Sequence, residues 1–200
     1  MVADRVADYI EEYRLGIRCS GFVPIETLID NWQGSHDYAP TGVRAVRRLL
    51  DAVEIREDDV FVDYGCGKGR SVLLAAERRF RTIHGVEVSS KLLEIARRNL
   101  SSFCGTRSCN DIRLHHCDAR RFALPPDATV LFFANPFHGD ILTSVFANIH
   151  QSFLSNQRQL RVIFNNPIHF RKIEHAYPWL TPVRHFSFEQ DCTIYVANNS

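Results

Sequence analysis

The sequence predicts an α/β protein in which helices cover both faces of a mostly parallel sheet. Short apolar runs alternate with amphipathic segments along most of the 200 residues, the order expected of strands joined by crossover helices. Hydrophobic residues make up 45% and charged residues 24%, which is usual for one globular domain of this length. Only a few residues separate the last two apolar runs, so the sheet is expected to end in an antiparallel hairpin.

The N-terminal part is assigned from local patterns. Residues 2–13 predict an amphipathic helix, whose apolar positions at helical spacing are Val2, Val6, Tyr9, Ile10 and Tyr13. Residues 19–40 show little periodicity but include Trp32 and Tyr38, which predicts either a plug for the core or a lid over a site. Thr41 is a good N-cap for the helix that follows.

Strands and helices then alternate to the end of the chain. The predicted strands are 60–64, 82–88, 111–117, 129–135, 160–166, 183–188 and 192–198. The predicted helices are 70–79, the segment after Ser89, 140–154 and a short one at 169–176. We therefore expect two regions, a helix with a lid or substrate segment at 1–40 and a ligand-binding domain at 41–200.

The charge, the apolar stretches and the cysteines of the chain limit the classes of function that the protein can have. A net charge of +1 gives no global field that would attract nucleic acid, although Arg44, Arg47 and Arg48 share a helix face that is either solvated or a patch for an anionic substrate. No apolar stretch approaches a membrane span and no basic leader is present, so we expect a cytoplasmic protein with reduced cysteines. A dense group of zinc-type residues lacks a C-x-x-C pair and lies partly along a strand, so we predict no metal; its members are Cys104, Cys109, His115, His116 and Cys117.

The stretch "FVDYGCGKGRS" (61–71) is a glycine-rich turn between a strand and a helix, where open α/β sheets bind ligands. A phosphate-binding P-loop is excluded, because Gly69 stands where the magnesium-binding hydroxyl belongs. A dinucleotide turn is disfavoured, because Arg70 replaces the third glycine of G-x-G-x-x-G and Asp63 would oppose a pyrophosphate. S-adenosylmethionine has no phosphate, and Asp63 would help balance its ammonium and sulfonium charges. Lys68 is expected to face solvent.

Four motifs at successive strand ends resemble those of class I S-adenosylmethionine-dependent methyltransferases. They are "VDYGCGKGR", "GVEVS", "HCDAR" and "FFANPF". The resemblance implies a three-layer Rossmann-like sandwich with a mostly parallel seven-stranded sheet and a C-terminal antiparallel hairpin. It also implies S-adenosyl-L-methionine as cofactor, with Glu87 on the ribose and Asp118 near the adenine. The implied cofactor-binding residues are Asp63, Gly65, Cys66, Gly67, Gly69, Arg70, Glu87, Val88, Asp118, Ala119 and Asn135. Arg70 would either anchor the cofactor carboxylate or pair on the surface.

The stretch "FFANPF" bears on the methyl acceptor. It is similar to the [DN]-P-P-[YFW] motif of methyltransferases that act on amino or amide nitrogen, although the second proline is absent. By this resemblance Asn135 and the Pro136 carbonyl would orient the acceptor nitrogen and Phe137 would form a wall. A strand-end turn with Phe137 in the core is the alternative. His138 would either take a proton from an ammonium-type acceptor or lie on the surface.

A second resemblance involves "DYAPTG", which is similar to the "Y-x-P" segment of certain protein-lysine methyltransferases and implies that Tyr38 and Thr41 close over the cofactor. Asn165 and Asn166 would line the acceptor pocket or form a turn. The expected function is methyl transfer to nitrogen of a protein side chain or small molecule. The alternatives are a cofactor-binding protein without catalysis, a nucleic-acid methyltransferase, and a nicotinamide-dependent oxidoreductase.

Overall fold

The computed structural model describes residues 2–187 and 189–197. Its helices are α1 (Val2–Leu15), α2 (Val43–Asp51), α3 (Arg70–Ala75), α4 (Ser90–Ser102) and α5 (Gly139–Ser155). Its strands are β1 (Val60–Tyr64), β2 (Thr82–Glu87), β3 (Ile112–His116), β4 (Ala128–Phe133), β5 (Leu160–Asn165), β6 (Thr181–Ser187) and β7 (Asp191–Ala197). Short 3-10 turns lie at Ile25–Thr27, Ala119–Arg121, Phe170–Lys172 and Glu174–Ala176.

The seven strands form one sheet in the order β3-β2-β1-β4-β5-β7-β6. Strands β1 to β5 pair in parallel, whereas β7 runs antiparallel to both β5 and β6. This confirms the predicted mostly parallel sheet with a C-terminal antiparallel hairpin. The chain moves outward from β1 to β3 and then returns to the other side of β1 with β4, so the strand order reverses between β1 and β4.

Two apolar cores lie on opposite faces of the sheet, because neighbouring residues of a strand point to opposite sides. Phe61 packs into one core together with residues of α2 and α3. Val60, Val62 and Tyr64 pack into the other core, which α5 covers. Every residue of β1 is therefore buried, as expected of a central parallel strand.

Several predicted boundaries differ from the structure. Helix α3 ends at Ala75 instead of continuing to residue 79, and the predicted helix at 169–176 is two separate 3-10 turns. Helix α2 begins at Val43 with Gly42 as its N-cap, so Thr41 is not the cap. The Val43 N–H is instead bound by the Asp8 carboxylate of α1, 2.9 Å away. Phe188 and residue 198, at the ends of two predicted strands, lie outside the described residues.

Helix α1 exists as predicted, but it contacts the domain with its polar side. Tyr9 and Ile10 are largely exposed and Tyr13 is 89% exposed, whereas Glu12 is buried at 4% exposure. The side chain of Val2 lies outside the described part of the chain. The reason is electrostatic: the acids of α1 pair with arginines of the domain, as described below. No helix among residues 2–187 and 189–197 has the length and apolarity needed to cross a membrane.

Candidate functional site

A cleft opens at the carboxyl ends of β1 and β4, where the strand order reverses. Its free space, counted together with the open solvent at its mouth, is about 1070 Å³. In open α/β sheets this switch point is where ligands bind. The glycine turn, the end of β2, the segment after β4 and the 25–41 stretch all line the cleft.

The glycine turn is shaped by close backbone approaches. Gly67 has a φ of +54°, and a Cβ atom at this position would lie 2.7 Å from Cδ2 of Tyr38. Gly65 has a φ of +78°, and a Cβ there would overlap the ring of Pro136. Both positions therefore need glycine for conformation and for space. The turn thus joins the 19–40 segment on one side to the "ANPF" stretch on the other.

Glu87 is the acid at the end of β2, and its carboxylate lies beside the glycine turn. Oε2 accepts a hydrogen bond of 2.9 Å from the Gly67 N–H, and Oε1 accepts one of 2.8 Å from the Ser89 N–H. Glu87 is only 7% exposed, and burial raises the pKa of its carboxyl group. Glu87 also lines the cleft, so backbone donors hold its carboxylate at the cleft surface.

Asp63 lies below the cleft surface instead of lining it. It is almost completely buried and accepts a short hydrogen bond from the hydroxyl of Ser71, which does line the cleft. Burial raises the pKa of Asp63 to about 7, and the Ser71 hydrogen bond opposes that shift. The Asp63 carboxylate can therefore influence a ligand in the cleft in two ways, through its hydrogen bond with Ser71 or through its electric field.

Lys68 does not face solvent, so that prediction was wrong. It is buried, and its Nζ donates a 3.0 Å hydrogen bond to the Ser20 carbonyl. The same ammonium group lies 4.6 Å from the ring centroid of Tyr38, a cation–π contact. Through these two contacts Lys68 fixes the 19–40 segment to the glycine turn.

Arg70 lines the cleft but does not pair on the surface, because it is buried at 3% exposure. One Nη donates to Asp8 (2.7 Å) and to the Thr41 carbonyl (2.8 Å). The other Nη donates to Glu12 and to the Ser20 hydroxyl (3.0 Å). The guanidinium is buried at the first residue of α3 and forms the centre of a network that holds α1 and the 19–40 segment.

Tyr38 and Thr41 both line the cleft. The Tyr38 hydroxyl donates a 2.6 Å hydrogen bond to the Cys19 carbonyl, and burial raises the pKa of Tyr38. The Thr41 hydroxyl accepts a 2.9 Å hydrogen bond from the amide of Asn165. Asn165 is itself buried and lies behind Thr41, not on the cleft wall.

The opposite wall of the cleft contains Cys66, Val88, Asp118 and Ala119. Asp118 caps the 3-10 turn after β3 by accepting a 2.9 Å hydrogen bond from the Arg120 N–H. Its carboxylate also receives the Arg120 guanidinium at 2.6 Å, which lowers the pKa of Asp118. Part of the hydrogen-bonding capacity of Asp118 is thus already used within the protein.

The segment after β4 brings Asn135, Pro136 and Phe137 to the cleft. Asn135 has a φ of +52°, a conformation that few non-glycine residues adopt, and its side chain has no hydrogen bond to another described residue. The Pro136 carbonyl accepts a 3.1 Å hydrogen bond from the His36 N–H. Phe137 is buried and meets Phe133 edge-on at 6.1 Å between centroids, so it belongs to the core as well as to the cleft.

Two features of this site could not be expected from the sequence. An isolated bridge between Ser35 and Phe137 fixes the 19–40 segment against the end of β4. Apolar side chains of that segment and of α5 form another wall of the cleft, namely Ile25, Leu28, Ile29 and Ile141. Only the aromatic residues and prolines of the segment hinted that it is ordered. Among the described residues, no group of three or more His, Cys, Asp or Glu side chains is placed to hold a metal ion.

Comparison with known proteins adds sequence and fold similarities. Residues 61–154 match a family model described as "Methyltransferase domain". A protein-lysine N-methyltransferase of Saccharolobus islandicus is 34% identical over 64 residues, which are 32% of this chain and 40% of that protein. The matched stretch thus spans about two fifths of the length of that relative.

Solved structures show the same fold at low identity. An RNA methyltransferase from Salinibacter ruber in complex with S-adenosyl-L-homocysteine has a TM-score of 0.57 at 22% identity, over 80% of this chain and 92% of that one. A ribosomal protein L11 methylase from Lactobacillus delbrueckii has a TM-score of 0.57 at 14% identity, over 79% of each chain. The sheet order and these structures show that the chain has the Rossmann-like fold of these methyltransferases, and residues 61–154 are similar to a methyltransferase domain.

Proposed function

We propose that this protein is an enzyme that transfers a methyl group from S-adenosyl-L-methionine to a nitrogen atom of a protein side chain or small molecule. The observation that carries the proposal is the position of Glu87 beside the glycine turn. Its two oxygens are fixed by backbone N–H groups at the cleft, where a carboxylate would accept charge-assisted hydrogen bonds from ribose hydroxyls.

The residues present fit this cofactor. Gly65 and Gly67 leave space for close approach, Glu87 would hold the ribose, and Val88 and Ala119 would flank the adenine. S-adenosylmethionine supplies an electrophilic methyl group together with its own leaving group. The protein therefore has to bind, align the acceptor nitrogen and exclude water, and it needs few residues that react themselves.

The acceptor is proposed to bind at Asn135, Pro136 and Phe137. The side chain of Asn135 lines the cleft and has no hydrogen bond to another described residue, so its amide can accept one from the acceptor nitrogen. The Pro136 carbonyl uses one lone pair for His36 and has a second for the acceptor nitrogen.

The charges of the cleft favour a neutral or cationic acceptor over a nucleic acid. Both arginines that line the cleft are bound to carboxylates, Arg70 to Asp8 and Glu12 and Arg120 to Asp118. Phosphate binding depends on arginine and lysine groups that can contact it. The apolar wall at Ile25 and Ile29 suits an alkyl chain that carries the amine.

We also propose that residues 1–40 comprise an N-terminal helix and a lid or substrate segment, and that the segment covers the cofactor-binding domain at 41–200. The contacts of Tyr38 with Gly67 and of His36 with Pro136 support this role. A cytoplasmic location is in keeping with the six cysteines, all of which are free thiols.

Cofactor binding is tested by calorimetry with S-adenosylhomocysteine. Glu87→Gln should weaken binding by about 10- to 100-fold, because charge-assisted hydrogen bonds to the ribose contribute roughly 1.5–3 kcal/mol. Glu94→Gln, an exposed change on α4, is the matched control and should bind like wild type. Binding of NADH or ATP in place of S-adenosylhomocysteine would contradict the proposal.

The acceptor class is tested in the same preparation with radiolabelled S-adenosylmethionine. Separate cell fractions of protein, RNA and small molecules are incubated with the enzyme. We expect label in the protein or small-molecule fraction. Label confined to RNA would establish the nucleic-acid alternative, and binding without any labelling would identify a cofactor-binding protein without catalysis.

A further inference from the structure

Three histidines from three separate segments meet next to the cleft. His36 belongs to the 19–40 segment, His138 follows Phe137, and His169 follows β5. Their ring centroids are 5.0 Å (His36–His138), 4.9 Å (His36–His169) and 4.9 Å (His138–His169) apart. We call these three residues the histidine cluster.

The backbone fixes the cluster against the proposed acceptor site. The His36 N–H donates to the Pro136 carbonyl at 3.1 Å, and the His138 N–H donates to the Gly34 carbonyl at 2.7 Å. His36 itself lines the cleft. His36 of the cluster is therefore hydrogen-bonded directly, through its backbone, to the carbonyl that is proposed to orient the acceptor nitrogen.

The cluster can accept a proton. Nε2 of His36 is buried and has no hydrogen-bond partner among the described residues. Burial and the neighbouring imidazoles lower the pKa values of His36 and His169, which favours the neutral form of both rings. Two charged groups also act on the cluster: Asp37 favours a proton on His36, and Lys172 disfavours one on His169.

We propose that the histidine cluster accepts the proton that a cationic amine must lose before it is methylated, with His36 as the member that faces the acceptor. This inference rests on the proposed function and narrows its acceptor to an amine that arrives as an ammonium ion. A neutral imidazole takes the proton and becomes imidazolium. The freed lone pair of nitrogen forms the N–C bond while the C–S bond breaks and its electron pair stays on sulfur. The imidazolium then returns the proton to solvent.

Proton removal is a real requirement for such an acceptor. With an ordinary pKa near 10.4, roughly one lysine side chain in 2,500 is neutral at pH 7. In the cleft, the apolar wall and the positive sulfonium lower the pKa of the amine toward that of a histidine. The three adjoining rings are all half-buried and can share one proton.

The test compares the pH dependence of kcat in wild type, His36→Gln, His138→Gln and His169→Gln, with the acceptor found by radiolabelling. His36→Gln should lower kcat at pH 7 by about 100-fold, the usual contribution of a general base. The deficit should shrink as pH rises above the pKa of the bound amine, where the amine loses its proton unaided. Affinity for S-adenosylhomocysteine should not change. His150→Gln is the matched control, because His150 is also stacked on a ring but lies on α5 against Trp179.

Two results would overturn the inference. One is wild-type kcat and pH dependence in all three cluster variants. The other is weaker cofactor binding with an unchanged pH profile, which would mean that the cluster only holds the lid in place. The proposed function itself fails if wild type does not bind S-adenosylhomocysteine, or binds it but labels no acceptor. Calorimetry and labelling of wild type alone reveal this failure, so it can be distinguished from a failure of the inference in the variants.

Discussion

Individual glycines determine how closely the walls of the cleft approach each other. Gly67 and Gly139 have almost the same φ, +54° and +56°. Their surroundings differ, because Tyr38 packs on Gly67 while nothing lies within 4 Å of a Cβ at Gly139. The pair therefore separates the cost of the backbone conformation from the cost of the contact with Tyr38.

We expect Gly139→Ala to lower the free energy of unfolding by roughly 1–2 kcal/mol, the cost of a left-handed alanine. Gly67→Ala should lower it by a further 1–3 kcal/mol or so, because the new methyl group displaces Tyr38. It should also weaken S-adenosylhomocysteine binding, which Gly139→Ala should leave unchanged. Urea unfolding and calorimetry measure the two effects, and equal values for both variants would contradict this account.

The site residues that could be predicted from the sequence are those whose neighbours in space are also close to them along the chain. The glycines and Glu87 belong to one strand–turn–helix pattern and the next strand end, and they do lie together in the cleft. Lys68 and Arg70 could not be placed in this way, since their partners Ser20, Asp8 and Glu12 are 48 to 62 residues away. A single sequence does not show which distant acids approach a given base.

At the scale of elements, helix α1 shows why periodicity predicts a helix better than the face it buries. Asp8 and Glu12 lie one turn apart and share Arg70, while Glu11 pairs with Arg47 at 3.1 Å. Burying Arg70 without these acids would be costly, so the ion pairs hold the polar face inward. The apolar residues that predicted the helix consequently lie outward.

Breaking the buried pair should destabilise the protein strongly. Glu12→Gln is expected to lower the free energy of unfolding by about 3 kcal/mol, because it leaves Arg70 partly uncompensated. The exposed pair between Glu57 and Arg79 serves as control, with both side chains 77% exposed. Glu57→Gln should change stability by less than about 1 kcal/mol. Similar losses in urea unfolding for both variants would refute the central role of Arg70.

For the whole molecule, alternation of strands and helices was sufficient to predict the layers, the parallel core and the hairpin. The alternation does not predict how burial shifts the pKa values of titratable side chains in the sheet. Nδ1 of His84 on β2 lies 2.9 Å from Nε2 of His115 on β3, and their rings stack. Burial, followed by His115, lowers the pKa of His84 to about 4. Asp63 is shifted in the opposite sense, to about 7.

These two shifts predict opposite effects of pH on global stability. Folded His84 binds fewer protons than the unfolded chain between pH 6.5 and about 4, so wild type should lose stability relative to His84→Gln as pH falls through that window. Folded Asp63 keeps its proton up to about pH 7 instead of 3.8, so wild type should gain relative to Asp63→Asn as pH falls from 7 to 3.8. Urea unfolding across this pH range tests both, and parallel curves for all three proteins would contradict the assignments.

The contacts of the first 41 residues have a consequence for the order of folding. Glu12 reaches Arg70 across 58 residues, the Arg18 backbone reaches Asn99 across 81, and Thr41 reaches Asn165 across 124. Contacts of such separation form only after long loops have closed. Residues 2–41 are therefore expected to dock after the sheet has formed, and the contact of Thr41 with Asn165 forms only when β5 is in place.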